Sequence, residues 1–254
     1  MSDPIRHPSL PAAERRKKRP TEYIESGRFQ SIRVFALESS GVRGATMTQS
    51  ATTPGSFAEI REEPICHEHL VKHASISIVF KVERLLDVVV QKGGLGGFKL
   101  IERAIAAPYV KDYDALPANG PAGWAMLFDL SNWGLLSAWW DGRRVGGAVI
   151  AFNTEGVQML EGRRDLAMLW DLRVAPEMRR SGIGSALFAA TEQWAKTRGC
   201  RQLNVETQNI NVAACNFYAS HGCQLGAIDR FAYPELPNEV QLLWYKNLPC
   251  DGVA

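Results

Sequence analysis

The sequence lacks any apolar run of the ~18–20 residues that a membrane-spanning helix requires. Its N-terminus is basic but no apolar core follows, so no secretory signal is evident. A formal net charge of +2 is too small to indicate nucleic-acid binding by bulk electrostatics. Cysteine is scarce, and the odd set of 5 without a C-x-x-C pair favours a reducing cytoplasm: Cys66, Cys200, Cys215, Cys223 and Cys250. We therefore predict a cytoplasmic protein without membrane or nucleic-acid partners, and a homodimer stays open.

Residues 1–56 are predicted to be a disordered tail. Glu14 to Pro20 is a charge run flanked by prolines, and Met47 to Ser56 is rich in Thr, Ser, Gly and Pro. We interpret the charge run as a solvated segment rather than an arm for nucleic acid or an anionic surface. Translation starting at Met47 is an alternative. Residues 57–250 are predicted to form a single domain.

A strand, a basic turn and a helix form the centre of the pattern. In Ala167 to Val174, apolar residues alternate with Asp171 and Arg173, which is typical of a strand. From Ile183 the apolar period becomes helical, and Gly199 is a plausible end of the helix. A strand that runs into a helix through a glycine-containing turn is a frequent phosphate-binding arrangement.

The turn itself, Arg179 to Gly184, contains two glycines two residues apart. Gly182 and Gly184 allow backbone N–H groups to approach a ligand, and the helix start favours an anion. Walker A requires Gly-Lys-Ser/Thr, but Ser185 follows Gly184, and the dinucleotide fingerprint requires a small residue where Leu187 stands. The spacing predicts a pyrophosphate cradle, with an ordinary tight turn as the alternative.

Two motifs resemble the GNAT superfamily of N-acetyltransferases. Arg179-x-x-Gly182-x-Gly184 matches the superfamily's Arg/Gln-x-x-Gly-x-Gly/Ala signature for the pyrophosphate of acetyl-CoA. The stretch from Asn211 to Tyr218, followed by Gly222, is similar to its Asn-x-x-Ala-x-x-x-Tyr…Gly helix. The resemblance covers residues 125–248. Within it, the C-terminal third looks most like streptothricin acetyltransferases.

The resemblance implies a GNAT-like α/β fold: a mixed, mostly antiparallel central sheet flanked by helices, with a V-shaped splay between the two central strands. It also implies acetyl-CoA as co-substrate and no metal. The cofactor-binding residues that it implies are Leu172, Arg173, Val174, Arg179, Arg180, Ser181, Gly182, Ile183, Gly184 and Asn211.

Residues 57–120 are harder to interpret. Ile76 to Val82 and Leu85 to Val90 predict the first strand, Gly93 to Gly97 a turn, and Phe98 to Ala106 a short helix. Met126 to Asp129 then predicts a strand. The remaining strands are predicted from alternation and a type I′ turn signal at Asp141-Gly142: Leu135–Trp140, Val145–Phe152, Gln202–Gln208, Cys223–Ile228 and Val240–Tyr245.

Two polar segments of this region have more than one interpretation. Cys66 to His73 contains three histidines, but in no recognised zinc spacing, so we predict no metal site. Tyr109 to Asp114 is a candidate lip of the acceptor site, because its acids and tyrosines would suit a cation. A solvated loop is the alternative.

Three side chains are candidates for catalysis. An amine of pKa ~10.4 must lose a proton before it attacks a thioester, which costs roughly 4 kcal/mol at pH 7. Glu206 and Asp171 are candidate bases, because they lie on the polar faces of the two strands that the resemblance places beside the thioester. Tyr218 matches the superfamily's general acid, seven residues after Asn211.

The sequence therefore predicts an enzyme that transfers acetyl from acetyl-CoA to a primary amine in a ternary complex. The leading acceptor is a small cationic antibiotic of the streptothricin type. A protein N-terminus or lysine, a polyamine, or an aminoglycoside is the alternative acceptor. A non-catalytic acyl-CoA sensor is the alternative from another class.

Overall fold

A computed structural model describes residues 33–34, 58–115 and 120–249 of the chain. The strands are β1 (Arg33–Val34), β2 (Glu59–Glu63), β3 (Phe80–Val90), β4 (Phe98–Lys111), β5 (Gly134–Trp140), β6 (Arg143–Phe152), β7 (Leu166–Val174), β8 (Gln202–Gln208), β9 (Gln224–Asp229) and β10 (Gln241–Asn247). The helices are α1 (His67–Ala74), α2 (Trp124–Leu127), α3 (Ile183–Thr197) and α4 (Val212–Ser220).

Eight strands form one mixed sheet. Seven of them follow the order β2-β5-β6-β7-β8-β10-β9, and β1 also pairs with β7. The pairings of β7 with β8 and with β1 are parallel, and the others are antiparallel. This mostly antiparallel sheet, flanked by helices, confirms the predicted fold class.

The two central strands separate half way along their length. β7 pairs with β8 only from Leu166 to Leu169, where the last partner is Val205. In the pairing with β6, Val149 faces Asp171 while Ile150 faces Leu169, so Trp170 is an extra, bulged residue. The ring of Trp170 packs between aromatic neighbours at centroid distances of 5.0–6.0 Å, namely Trp124, Phe128 and Trp133. The predicted V-shaped splay therefore begins at a bulge that the core holds in place.

The elements around this splay agree with the alternation in the sequence. β5, β6, β8, β9, β10 and α3 form where they were predicted, within one or two residues at most ends. Asp141 and Gly142 have φ of 49° and 70°, as a type I′ turn requires. Gly199, with φ 77°, follows α3 in the left-handed conformation that ends many helices.

The region before β5 differs from the sequence prediction. Phe98 to Ala106 is not a helix, because it belongs to β4, which pairs with β3 across the turn at Gly93 to Gly97. Most of β4 is exposed on both faces, so no alternation marks it, and cross-strand pairing overrides the helix propensity of its alanines. The edge of the main sheet beside β5 is formed by β2, whereas β3, which was predicted as the first strand, belongs to a separate two-stranded ribbon.

Met126 to Asp129 is not a strand either. Pro121 begins a helical turn that continues into α2, where Trp124 is buried while Met126 is exposed. A short apolar run does not distinguish a strand from a helix by period alone.

The prediction for the tail falls on residues 1–56, which lie outside the described ranges apart from β1. Among the described residues, no helix is long and apolar enough to cross a membrane.

Candidate active site

The open edge of β7 lies where the two central strands part. Beyond Leu169 the strand continues to Val174 without β8 as a partner, so its main chain faces the splay. β1 lies along this edge at Asp171 and Leu172. A ligand that bonds to the same main-chain groups has to displace that two-residue pairing.

The side chain of Arg173 holds the strand from the other side. Its guanidinium is fully buried and donates to both carboxylate oxygens of Asp171, at 2.9 and 3.0 Å, and of Asp114, at 2.8 and 3.0 Å. It also donates to the carbonyl oxygen of Ile76 at 3.2 Å. The predicted cofactor residue Arg173 is thus, through its side chain, a link between β7, α1 and the segment after β4.

His73 completes this buried network. Its Nε2 lies 3.0 Å from Asp171 Oδ1, while its Nδ1 is buried without a hydrogen-bond partner among the described residues. The ring fits because β6 carries Gly147 beside it, where a Cβ would lie 2.5 Å from His73 Nδ1.

The charges of the network are fixed by burial and by contact. Burial alone would raise the pKa of Asp171, but the Arg173 guanidinium and the His73 hydrogen bond outweigh it and hold that pKa well below its usual range. Burial lowers the pKa of His73, and its bond to Asp171 opposes this only in part. Asp171 is therefore ionised and His73 neutral near pH 7.

The turn before α3 has the conformation of a phosphate cradle. Arg180 and Gly182 have φ of 66° and 88°, and both are exposed. The first main-chain bond of the helix runs from Ala186 N–H to Gly182 O, so the amides of Ile183 to Ser185 precede the intrahelical ladder. These amides, with the positive end of the helix dipole, suit a pyrophosphate.

The cradle's two glycines differ in role. Gly182 requires its left-handed φ, whereas a Cβ on Gly184 would lie 3.7 Å from Phe217 and 3.8 Å from Val174, which is ordinary contact. Gly184 therefore matters for the packing beneath the turn rather than for the open side of it.

Two predicted cofactor residues use their side chains to position other elements. Arg179 donates to the carbonyl oxygens of Val174, Ser77 and Val79, at 3.1–3.3 Å. Asn211 caps α4, and its side chain accepts from Ala214 N–H at 3.2 Å. Ser181 is exposed and donates through its hydroxyl to Met178 O at 2.6 Å.

Tyr218 lies two turns into α4 and is fully buried. Its ring packs against Phe188 and Phe217, and its hydroxyl has no hydrogen-bond partner among the described residues. Burial raises the pKa of this phenol well above its usual value, and the nearby charge of Asp171 adds to the shift. The phenol is thus a buried donor that stays protonated near pH 7.

Glu206 lies on β8, on the far side of the splay, and is also fully buried. Its carboxylate accepts hydrogen bonds from the Tyr233 hydroxyl, from Gln208 Nε2 at 3.1 Å and from Gln241 Nε2 at 2.7 Å. Burial and the adjacent carboxylate raise the pKa of Tyr233 well above its usual value. The polar face of β8 on which the sequence analysis placed Glu206 is thus buried, and hydrogen-bond donors surround the carboxylate.

Asp171 lies on β7, Glu206 on β8 and Tyr218 on α4, all three fully buried, and the cradle turn lies between β7 and α3. Sequence reasoning missed His73, Tyr233 and Gln241. His73 belonged to the histidine cluster that was examined only for metal, and no local pattern distinguished Tyr233 or Gln241. Within the part of the chain that the structure describes, no group of three or more His, Cys, Asp or Glu side chains is placed to hold a metal ion.

Comparison with known proteins agrees with this geometry. The chain matches the acetyltransferase (GNAT) family over residues 103–223. It is 41% identical over 159 residues to streptothricin acetyltransferase A of Bacillus subtilis (strain 168). That alignment covers 59% of this chain and 80% of the Bacillus protein. The nourseothricin acetyltransferase structure has the same fold, with 22% identity and a TM-score of 0.59 over 76% of this chain and 99% of that chain. A Bacillus anthracis str. Ames protein in complex with acetyl coenzyme A has 26% identity and a TM-score of 0.58, over 75% and 99% of the two chains.

The chain belongs to the GNAT acetyltransferase family. It is an N-acetyltransferase, and acetyl-CoA is its co-substrate. The sequence analysis placed the family resemblance over residues 125–248, whereas the family match occupies residues 103–223. The likeness to streptothricin acetyltransferases, which it placed in the C-terminal third, extends over 159 residues.

The cradle predicts a specific effect of Gly182→Ala. The side chain meets no atom within 4 Å, so it acts only by straining a residue with φ 88°. Gly142→Ala is the matched control, because Gly142 has φ 70° and the same open space, in the turn between β5 and β6. We expect each variant to lose about 1–3 kcal/mol of stability, measured by thermal melting.

Only Gly182→Ala should also weaken acetyl-CoA binding, by at least tenfold, or ~1.4 kcal/mol, in calorimetric titration. A folded Gly182→Ala protein that binds acetyl-CoA as the wild type does would remove Gly182 from the cradle.

The buried network predicts a pH dependence of stability. Burial lowers the pKa of His73, so the folded state binds fewer protons there than the unfolded state, whose pKa is ~6.5. The stability due to neutral His73 is present above that pKa and is lost as the pH falls below it. Below about pH 6.5, the free energy of unfolding should fall by up to about 1.4 kcal/mol per pH unit more in the wild type than in His73→Gln.

Urea denaturation at a series of pH values measures this difference. His67→Gln, on the exposed face of α1, is the control and should keep the wild-type pH dependence. Parallel pH profiles for the wild type and His73→Gln would contradict the assignment.

Proposed function

We propose that the protein acetylates a primary amine of a small cationic antibiotic of the streptothricin type, by direct attack on acetyl-CoA in a ternary complex. The relationship to streptothricin acetyltransferase A of Bacillus subtilis, over 80% of that protein, supports the acceptor class. The observation that carries the chemistry is the buried Tyr218 hydroxyl, which lacks a hydrogen-bond partner among the described residues.

The pyrophosphate of acetyl-CoA binds the cradle at Arg180 to Gly184, and its pantetheine arm follows the open edge of β7. The amides of Leu172 to Val174 bond to this arm and polarise the thioester carbonyl. A preorganised donor at a developing oxyanion is typically worth about 2.7–4 kcal/mol. The bulge at Trp170 supports this arrangement, because it redirects the strand where the thioester is expected.

Glu206 rather than Asp171 is the proposed base. The charge of Asp171 is already matched by Arg173, and its pKa is held well below the usual range, so it is a poor proton acceptor. The Tyr233 hydroxyl and the Gln241 amide donate hydrogen bonds to Glu206 and orient its carboxylate. The acceptor's proton reaches Glu206 directly, through water or through the Tyr233 hydroxyl.

Attack by the neutral amine forms a tetrahedral intermediate, and its collapse expels the thiolate of CoA. Tyr218 gives its phenolic proton to that sulfur. The raised pKa of Tyr218 supports this role, because the phenol stays protonated throughout the neutral pH range. The attacking nitrogen loses its second proton to solvent as the amide forms. Glu206 then returns its proton to solvent and the phenolate is reprotonated from solvent, so the cycle releases one net proton.

We further propose that the enzyme works in the cytoplasm, where the free Cys66, Cys200, Cys215 and Cys223 would remain reduced. A homodimer stays a prediction.

A panel of amines tests the acceptor class. Release of CoA thiol from acetyl-CoA is measured with streptothricin, a polyamine, an aminoglycoside and a peptide with a free N-terminus. We expect kcat/KM to be highest for streptothricin by at least tenfold. A higher value for the peptide would assign protein acetylation, and acetyl-CoA binding without thiol release for any amine would assign a sensor.

Tyr218→Phe tests the general acid. The change removes only the hydroxyl, so the packing of the ring against Phe188 and Phe217 is kept. We expect kcat to fall about 10²-fold or more, roughly 2.7 kcal/mol, with the Kd for acetyl-CoA changed less than threefold. Stopped-flow measurement of the chemical step decides. A near-native rate would end the assignment, and the cradle and the cofactor would be unaffected by that result.

A further inference from the structure

Lys111, the last residue of β4, carries its ammonium group into the protein. Its Nζ forms an ion pair with Glu239 and lies 4.6 Å from the centroid of the Tyr113 ring. The two ionic side chains are only 13% and 7% exposed. An ammonium group is therefore held between a carboxylate and an aromatic ring, which are the two groups that commonly recognise ammonium ions.

The groups around this ammonium are fixed without it. The Tyr113 hydroxyl donates to Glu239 Oε2 at 2.6 Å. Burial, with the charge of Glu239, raises the pKa of Tyr113 well above its usual value, so the phenol remains a donor. Asn209 holds the adjoining Val240 by a main-chain bond of 3.0 Å and a side-chain bond of 2.9 Å. The carboxylate thus keeps its position if Lys111 leaves.

The site lies next to the proposed base along the same strand pair. Gln241, which bonds to Glu206, faces Gln208 across the β8–β10 ladder, and the bond from Asn209 N–H to Val240 O extends that ladder. The charges of Glu239 and Glu206 both act on the Tyr113 and Tyr233 hydroxyls, so the two carboxylates lie near each other. Glu239 precedes Gln241 by two residues, in the segment that leads into β10, so their Cα atoms are at most about 7 Å apart. Short diamines span such a distance.

We propose that Glu239 and Tyr113 form a second ammonium site of the acceptor pocket, and that Lys111 is its resident cation until the acceptor binds. The inference rests on the proposed function, and it adds that the preferred acceptor carries a second amino group. One amino group reacts beside Glu206, and the other replaces Lys111 at Glu239. The exchange keeps the charge of Glu239 matched, while the flexible stem of Lys111 returns its ammonium to water.

The test compares 1,5-diaminopentane with pentylamine, which has the same chain and one amino group fewer. In the wild type, Lys111 competes with the second amino group. Lys111→Met should therefore raise the ratio of kcat/KM for the diamine over the monoamine at least fivefold, and Glu239→Gln should lower it at least fivefold. Lys81→Met is the matched control, because Lys81 is an exposed lysine of the same ribbon, ion-paired with Glu83. It should leave the ratio within twofold of the wild type.

A second readout does not depend on turnover. Lys111→Met leaves Glu239 without its ammonium partner, so its Tm should fall, and millimolar diamine should restore it. The same diamine should not raise the Tm of the double variant Lys111→Met/Glu239→Gln. An unchanged kcat/KM ratio in Lys111→Met, or a diamine rescue that persists in the double variant, would overturn the second site.

The two readouts separate this inference from the proposed function. If pentylamine is acetylated normally and the ratio does not respond to Lys111→Met, the second site is wrong and the acetyl transfer stands. If neither amine is acetylated but the diamine rescue requires Glu239, the second site stands and the acceptor assignment fails.

Discussion

The site depends on keeping β7 and β8 apart beyond Leu169. Two strands that part inside a sheet would normally close up, because buried main-chain groups require partners, and β1 pairs with the exposed edge of β7 only at Asp171 and Leu172. Here the buried guanidinium of Arg173 ties the open part of β7 to Asp114 and to the chain after α1, while the packed ring of Trp170 fixes the bulge. A buried ion pair of this kind adds little net stability, but losing one partner typically costs about 3–5 kcal/mol. The ion pair contributes to the shape of the site rather than to stability, because it defines where the open edge of β7 lies.

The open edge of β7 also sets the positions of the remaining parts of the site. The turn at Gly182 follows the end of β7 within a few residues, so the cradle and the edge keep a fixed separation. Asn211 caps the first turn of α4, the helix that carries the buried Tyr218 against Phe188 of α3. Arg179 joins the turn to the segment before β3. Residues expected to touch the co-substrate thus act in part by holding the elements that do.

How much the sequence predicts depends on how local the cause is. Gln202–Gln208 was predicted to the residue, because one face of β8 is apolar and the alternation is visible. The ribbon of β3 and β4 was not predicted, because most of β4 is exposed on both faces and it forms a strand only through its pairing with β3. The partnership of His73 with Asp171 spans 98 positions, so no pattern along the chain reveals it. Local motifs therefore predicted the cradle and the acid, whereas the surrounding network depends on tertiary structure.

The buried carboxylates of Asp171 and Glu206 lie on neighbouring strands but have different partners, which favours different chemical roles. Asp171 forms an ion pair with Arg173 on its own strand, so its negative charge is neutralised within the fold and stabilises the open edge. Glu206, on β8, accepts hydrogen bonds from the Tyr233 hydroxyl and the Gln241 amide, which orient its oxygens. A pair of titratable groups whose surroundings differ in this way is the usual basis for separate chemical roles. In the proposed mechanism the proton of the acceptor goes to Glu206 on β8 and the thioester lies along β7, so the strand that carries Asp171 and Arg173 shapes the site while its neighbour carries the base.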